Sequence, residues 1–309
     1  MRIGRALYSA ALMSGVSPWL ARRKPVRRIL MLHGVDEVVL PVADFEAGMA
    51  WLAKRFRVVP LHEMATSIAE GRDPGPDGEL ALTFDDGLRN QYEMAYPVLR
   101  RLGLPATYFV CPELVESRRW IWNQEARSRL HSLAPGALAE FARACGIGTL
   151  PIEAMVQRMK ALPLKQRMHE EEQLRAASPN FVPSALERQR FEPLTWDEID
   201  RLDPALITIG SHTLSHPILP SLDDTTLVHE LTRSREVLEA RLKRTVDLFC
   251  YPNGDSDSRV RSAVRDVYRA AVTTEYGFVG PSPELRSLPR IPFTASLPLL
   301  AWRMHRPTA

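Results

Sequence analysis

The chain has 309 residues, 45% of them hydrophobic and 25% charged, ordinary globular usage that excludes disordered and fibrous classes. That length suits one large α/β domain or two smaller ones. Lys and Arg number 40 against 37 Asp and Glu, a net charge of +3, too even for a protein built to grip nucleic acid, so no nucleic-acid partner is expected. Cys111, Cys145 and Cys250 lie far apart in no metal-type spacing. They read as buried free thiols rather than a disulfide framework or a zinc–thiolate site.

In chain order, residues 1–28 form a basic, mildly apolar segment ahead of the domain. Ser9, Ser14, Gly15, Ser17 and Pro18 interrupt its apolar stretch, unlike the clean core of a secretory signal. No apolar run reaches the ~18–20 residues of a membrane span, so a cytoplasmic placement is expected. With Arg22, Arg23, Lys24, Arg27 and Arg28 following, the segment is either a helix packed on the fold or one making a peripheral contact with an anionic membrane.

From residue 29 to 309 one domain is expected. Short β-branched or aromatic runs predict strands at Ile29–His33, Leu80–Phe84, Ala106–Val110, Leu206–Gly210, Val246–Tyr251, Ala270–Thr274 and Leu288–Phe293. Helices are predicted at Asp44–Phe56, Asn90–Leu102, Thr195–Leu202, Asp224–Leu242 and Ser258–Tyr268. In the fourth, Leu227, Leu231, Leu238 and Leu242 recur at helical spacing behind Asp224 as N-cap. Alternation of this kind predicts a parallel sheet closed as a (β/α) barrel of seven strands. It breaks at residues 111–190, a helical insertion after an early strand, with a charged helix at Leu164–Ala177. Loops at the carboxyl ends of barrel strands build active sites, so the insertion reads as a substrate wall or lid. Its Trp120 and Trp122 either stack on sugar rings or anchor the insertion.

Three strand ends carry chemistry. Leu82-Thr83-Phe84 runs straight into Asp85-Asp86-Gly87. Two adjacent carboxylates repel, and a cation resolves the conflict if one ligates it and the other stays beside it as a base. Ile209-Gly210-Ser211 runs into His212-Thr213-Leu214-Ser215-His216-Pro217, two histidines able to present both rings to one point. Two His and one Asp make a three-ligand arrangement with open positions, the pattern of a catalytic metal site. His33 ends the first strand at the same level. His62, His131, His169, His229 and His305 sit in polar or helical settings and read as surface residues.

Thr83-Phe84-Asp85-Asp86-Gly87, Ser211-His212-Thr213-Leu214-Ser215-His216-Pro217 and Phe249-Cys250-Tyr251-Pro252-Asn253-Gly254 together resemble the signatures of the polysaccharide deacetylase (NodB-homology) family of metal-dependent carbohydrate esterases. The resemblance runs from about Ile29 to about Phe293, the insertion excepted. It implies a distorted (β/α)7 barrel that hydrolyses N-acetyl groups on amino sugars, most often N-acetylglucosamine in a glycan. By the same resemblance Asp86, His212 and His216 hold the metal, Zn2+ or else Co2+, Ni2+ or Mn2+. Asp85 is the general base, and the Asn253 backbone N–H is an oxyanion contact. Two departures stand out. Cys250 replaces an arginine common in the third motif, a vacancy that Arg290 is positioned in sequence to fill beside Asp85, where it is expected to join Asn253 as an oxyanion or substrate contact. The late histidine motif that supplies the general acid in many members is missing, and after Asn253 only His305 remains. Leu30-Met31-Leu32-His33 is similar to members acting on poly-N-acetylglucosamine, in which a histidine ending an early strand is the acid. Two alternatives are hydrolysis of another non-peptide C–N bond in a small amide and an inactive glycan-binding protein.

Overall fold

In the computed structural model, which describes residues 2–23, 25–148 and 150–306, eight strands form one parallel sheet. They are β1 (Arg27–Leu32), β2 (Arg57–Val58), β3 (Glu79–Phe84), β4 (Ala106–Val110), β5 (Ile207–Ser211), β6 (Leu248–Cys250), β7 (Ala270–Tyr276) and β8 (Leu288–Pro292). Seven of them close in the order β1-β8-β7-β6-β5-β4-β3, with β3 returning to β1. The predicted (β/α)7 barrel is therefore what forms. β2, too short for any periodicity to announce, pairs with the start of β3.

The barrel is uneven. β1 and β3 pair along six residues, from Arg27↔Glu79 to Leu32↔Phe84. β5 and β6 share only Ser211↔Phe249, and β7–β8 shifts register between Val272 and Tyr276. β3 and β4 are buried at every position, as strands covered on both faces must be.

Local chemistry explains where the helices differ from expectation. The helix predicted at Asn90–Leu102 opens instead with a π turn, Gln91–Ala95, before an α-helix at Tyr96–Leu102. Pro97 has no N–H to continue the ladder, and the Tyr96 N–H reaches back five residues to the Gln91 carbonyl. The helix at Asp224–Leu242 has the predicted bounds, but Asp223 is its cap, accepting the Thr226 N–H at 2.8 Å. An additional helix, Leu61–Ala69, buries Leu61, Met64 and Ala65 at helical spacing.

Charged groups bind the barrel floor. Glu79 lies buried against Arg27 at 2.7 Å and pairs also with Arg57. Arg28 donates to the carbonyls of Met304 (2.6 Å) and Ala21 (3.1 Å), tying both ends of the chain to the base of β1. Burial lowers its pKa to about 10. Two N-terminal helices, Arg2–Met13 and Val16–Arg22, pack on the C-terminal helix Leu297–Arg303. Tyr8 meets Trp302 with ring centroids 5.3 Å apart. The segment expected to end at residue 28 thus merges into β1, which starts at Arg27. His305, expected at the surface, is buried there, with Nδ1 3.0 Å from Ser17 Oγ. Among the described residues no helix is long and apolar enough to cross a membrane.

Among the described residues, six helices between Pro112 and Phe191 make up the insertion, around a core of its own that includes Trp122, Leu130, Phe141, Met155 and Leu174. Trp120 and Trp122 are buried, so they anchor the insertion and present no open face for stacking.

Removing the Glu79 charge leaves buried Arg27 without its carboxylate. Breaking a buried pair from one side costs about 3–5 kcal/mol. Glu79→Gln is therefore expected to lower unfolding stability by about that amount in denaturant titration, with the site residues at the other end of the barrel unaffected.

Candidate active site

All the sequence motifs meet at the carboxyl ends of the strands. Asp85 follows β3, its N–H donating to the Leu32 carbonyl of β1 at 2.9 Å. Asp86 and Gly87 then take left-handed conformations, φ 75 and 61. For Gly87 this costs little, and its Cα packs so near Val110 that a Cβ would sit 3.2 Å from that residue's backbone. The double left-handed turn sends two adjacent carboxylates to different partners.

Asp85 is 3% exposed and faces Arg290. Arg290, in β8, is wholly buried, and every one of its five N–H groups is engaged. Nη1 donates to Asp85 Oδ1 (2.7 Å) and Thr83 Oγ1 (3.0 Å). Nη2 donates to Asp85 Oδ2 (2.7 Å) and Cys250 Sγ (3.3 Å). Nε donates to the Thr273 carbonyl at 2.7 Å. Burial pushes the Asp85 carboxyl up, but the Arg290 charge and hydrogen bonds outweigh it and hold the group below its ordinary range. Arg290 therefore stands beside Asp85, and with no donor to spare it is not a substrate or oxyanion contact.

Asp86 turns to the histidines. Its Oδ1 lies 3.4 Å from His212 Nε2 and 3.5 Å from His216 Nε2, and the three ligating atoms fall within 4.8 Å of one another. Two bonds of ~2.0–2.2 Å meeting near a tetrahedral angle separate their donor atoms by ~3.3–3.5 Å, so the set fits a small divalent ion. His212 Nδ1 is 2.7 Å from the Cys250 carbonyl. That acceptor keeps the proton on Nδ1 and leaves the Nε2 lone pair toward the centre. His216 Nδ1 is buried with no partner among the described residues.

The loop carrying the histidines is held from below. Thr213 and His216 both have positive φ (69 and 61). Glu230, on the Asp224–Leu242 helix, accepts the N–H groups of Leu214 (2.9 Å) and Ser215 (3.0 Å) and the Ser215 hydroxyl (2.6 Å). Ser234 Oγ donates to the Thr213 carbonyl at 3.0 Å. Sequence reading missed Glu230, although a carboxylate between Leu227 and Leu231 on an apolar stripe was a visible signal. It also missed Gln91, whose side chain donates to the carbonyls of His33 and Asp85.

His33, expected to close the first strand, is the first residue after β1 and lines a cleft of about 530 Å³ together with Asp86. Asn253 lies on the loop after β6, three residues beyond the carbonyl that holds His212, in a left-handed conformation (φ 56). His305, at the barrel floor, is not part of this end of the molecule.

If Arg290 and Asp85 are one unit, Arg290→Met strands a buried carboxylate and costs about 3–5 kcal/mol. The double change with Asp85→Asn should recover much of that loss in a double-mutant cycle read by chemical denaturation.

Comparison with known proteins agrees with this geometry. The polysaccharide deacetylase profile matches residues 72–271. YxkH of Bacillus subtilis (strain 168), classed with the polysaccharide deacetylases, is 28% identical over 116 residues, 36% of this chain and 41% of the relative. The chain thus spans about two fifths of that curated relative's length. The Streptococcus pyogenes deacetylase PplD, solved in complex with acetate, superposes with a TM-score of 0.63 at 18% identity, over 92% of this chain and 100% of that one. IcaB from Ammonifex degensii gives 0.60 at 16% identity, over 91% and 98%. Both likenesses show the fold. They lend no support to a membrane contact by the N-terminal segment. With the profile covering well over half of its length and the three motifs at one end of the barrel, the chain belongs to the polysaccharide deacetylase family.

Proposed function

We propose that the protein is a metal-dependent hydrolase that removes N-acetyl groups from amino sugars, of the N-acetylglucosamine type, in a polysaccharide or glycan intermediate. The observation that carries this reading is the convergence of Asp86, His212 and His216 beside a buried Asp85 kept ionised by Arg290. Family membership and the names of the matched proteins support the same chemistry.

Asp86 Oδ1 and the Nε2 atoms of His212 and His216 are the donors for a divalent ion. Their nitrogen and oxygen types suit Zn2+, and also Co2+, Ni2+ or Mn2+. When bound, such an ion supplies Lewis acidity and lowers the pKa of water from ~15.7 towards ~7. Asp85 takes the proton from the attacking water. Arg290 keeps that carboxylate charged and fixed in plane, so no reorganisation is needed as the proton arrives. The Asn253 N–H is the contact for the oxyanion. His33, at the cleft, gives its proton to the leaving amine, which without one is a very poor leaving group.

A binder with no hydrolytic role has no use for a carboxylate held ionised by a five-point arginine beside the ligands, so the inactive alternative is disfavoured.

Chelation should abolish acetate release from acetylated chito-oligomers, and added divalent metal should restore it. An active, purified protein containing no metal by elemental analysis overturns the reading. Asp85→Asn should retain the metal and lose about 10²–10⁴ in kcat. His33→Ala should lose a comparable factor on amides and much less on activated acetyl esters, whose leaving groups need no proton. Metal loss in the His33 variant would make that residue a ligand instead.

A further inference from the structure

The two N-terminal helices pack one side on the C-terminal helix and leave the other to solvent. On Arg2–Met13 the exposed residues Ala6, Leu7, Ala10 and Met13 share one face at helical spacing. Val16 and Trp19 do the same on Val16–Arg22, just past the Ser14-Gly15 joint. Met13 is 87% exposed and Trp19 51%. Single exposed apolar side chains are ordinary. Leu7, Met13, Val16 and Trp19 on two adjoining short helices are a patch, and patches mark contact surfaces.

Cations flank it. Arg22, Arg23 and Lys54 are exposed and Arg55 is half-buried. Lys54 and Arg55 follow the helix Val42–Ala53 and precede β2, which starts beside Glu79, so they stand at the barrel floor. Arg22 ties the two segments together by donating to the Lys54 carbonyl at 3.3 Å. Arg55 donates to the Trp51 carbonyl at 3.1 Å, and Arg23 lies over the Trp19 ring, 4.3 Å from its centroid. Among the described residues no carboxylate pairs with any of the four. Burial first, and then the Arg22 charge, lower the Arg55 pKa, as befits cations gathered without a counter-charge.

This combination calls for a partner that is anionic at its surface and apolar beneath. Nucleic-acid phosphates would satisfy the cations and leave the apolar side chains against polar groups. A second copy would set the cations against their own images across a two-fold axis. An anionic bilayer supplies headgroup phosphates for the arginines and an acyl boundary for Leu7, Met13, Val16 and Trp19. Trp19 beneath Arg23 is an amphipathic pair suited to that boundary.

We infer that this face docks the barrel floor on an anionic membrane surface, with the Asp86 end of the barrel turned away from it. The helices' other sides are committed to the fold, so only these side chains enter the headgroup layer and the contact is shallow and reversible. It does not depend on the chemistry at the barrel mouth.

The test is sedimentation of the full chain with vesicles of phosphatidylcholine alone, or with about one third phosphatidylglycerol. Binding is expected only to the second kind. It should fall as salt rises from about 0.1 M to about 1 M, where the Debye length shrinks from ~10 Å to ~3 Å. Arg22→Gln with Arg23→Gln should weaken partition about 30-fold, the loss of two cations near the surface. Brominated lipid should quench tryptophan emission in the wild type and much less in Trp19→Phe. Trp19→Ser should lose binding at an unchanged unfolding midpoint. Equal binding to both vesicle types, or to neither, overturns the proposal. So does a dimer in vesicle-free buffer that Met13→Ser and Trp19→Ser dissociate, which would assign the face to a second copy.

Discussion

Two adjacent carboxylates cannot share a buried site unless each has its own source of positive charge, and the buried pairing of Asp85 with Arg290 resolves that conflict. It draws one carboxylate into the barrel and leaves Asp86 free to face the histidines. The backbone serves the same separation, since Asp86 and Gly87 both occupy the left-handed region. Cys250 belongs to this arrangement too. Its thiol accepts from the guanidinium while its carbonyl sets the tautomer of His212. A small side chain at Cys250 gives room to an arginine that reaches the same carboxylate from another strand.

Much of the fold could be read from residues alone because parallel strands buried on both faces leave compact apolar runs. All seven barrel strands lie within two residues of their predicted bounds at every end. What escaped was either too short to have a period, as with Arg57–Val58, or decided by a single backbone group. The missing N–H of Pro97 and the π turn before it are of the second kind. The cap shifted from Asp224 to Asp223 because two acidic residues stood side by side and sequence does not rank them.

The candidate site was legible in the same uneven way. Asp85, Asp86, His212 and His216 sit at strand ends in recognisable groupings. Arg290 was found only through its resemblance to a missing family arginine, and its complete set of five acceptors is purely three-dimensional. His305 misled in the opposite sense, a polar residue in the turn after the terminal helix, buried where that turn meets Ser17 of an N-terminal helix.

The Asp85–Arg290 contact joins positions 205 residues apart, and β8 reaches β1 through only two paired positions. Contacts of such long range are slow to form because the chain must lose so much freedom before they are rewarded. The helical insertion, by contrast, has local contacts and a core of its own, so it can consolidate early. Every candidate metal ligand is in place by His216, yet the central carboxylate has no counter-charge until the last strand docks. Ring closure and assembly of a competent centre are therefore a single folding event, and a nascent or nicked chain lacking β8 would keep its ligands around an uncompensated charge.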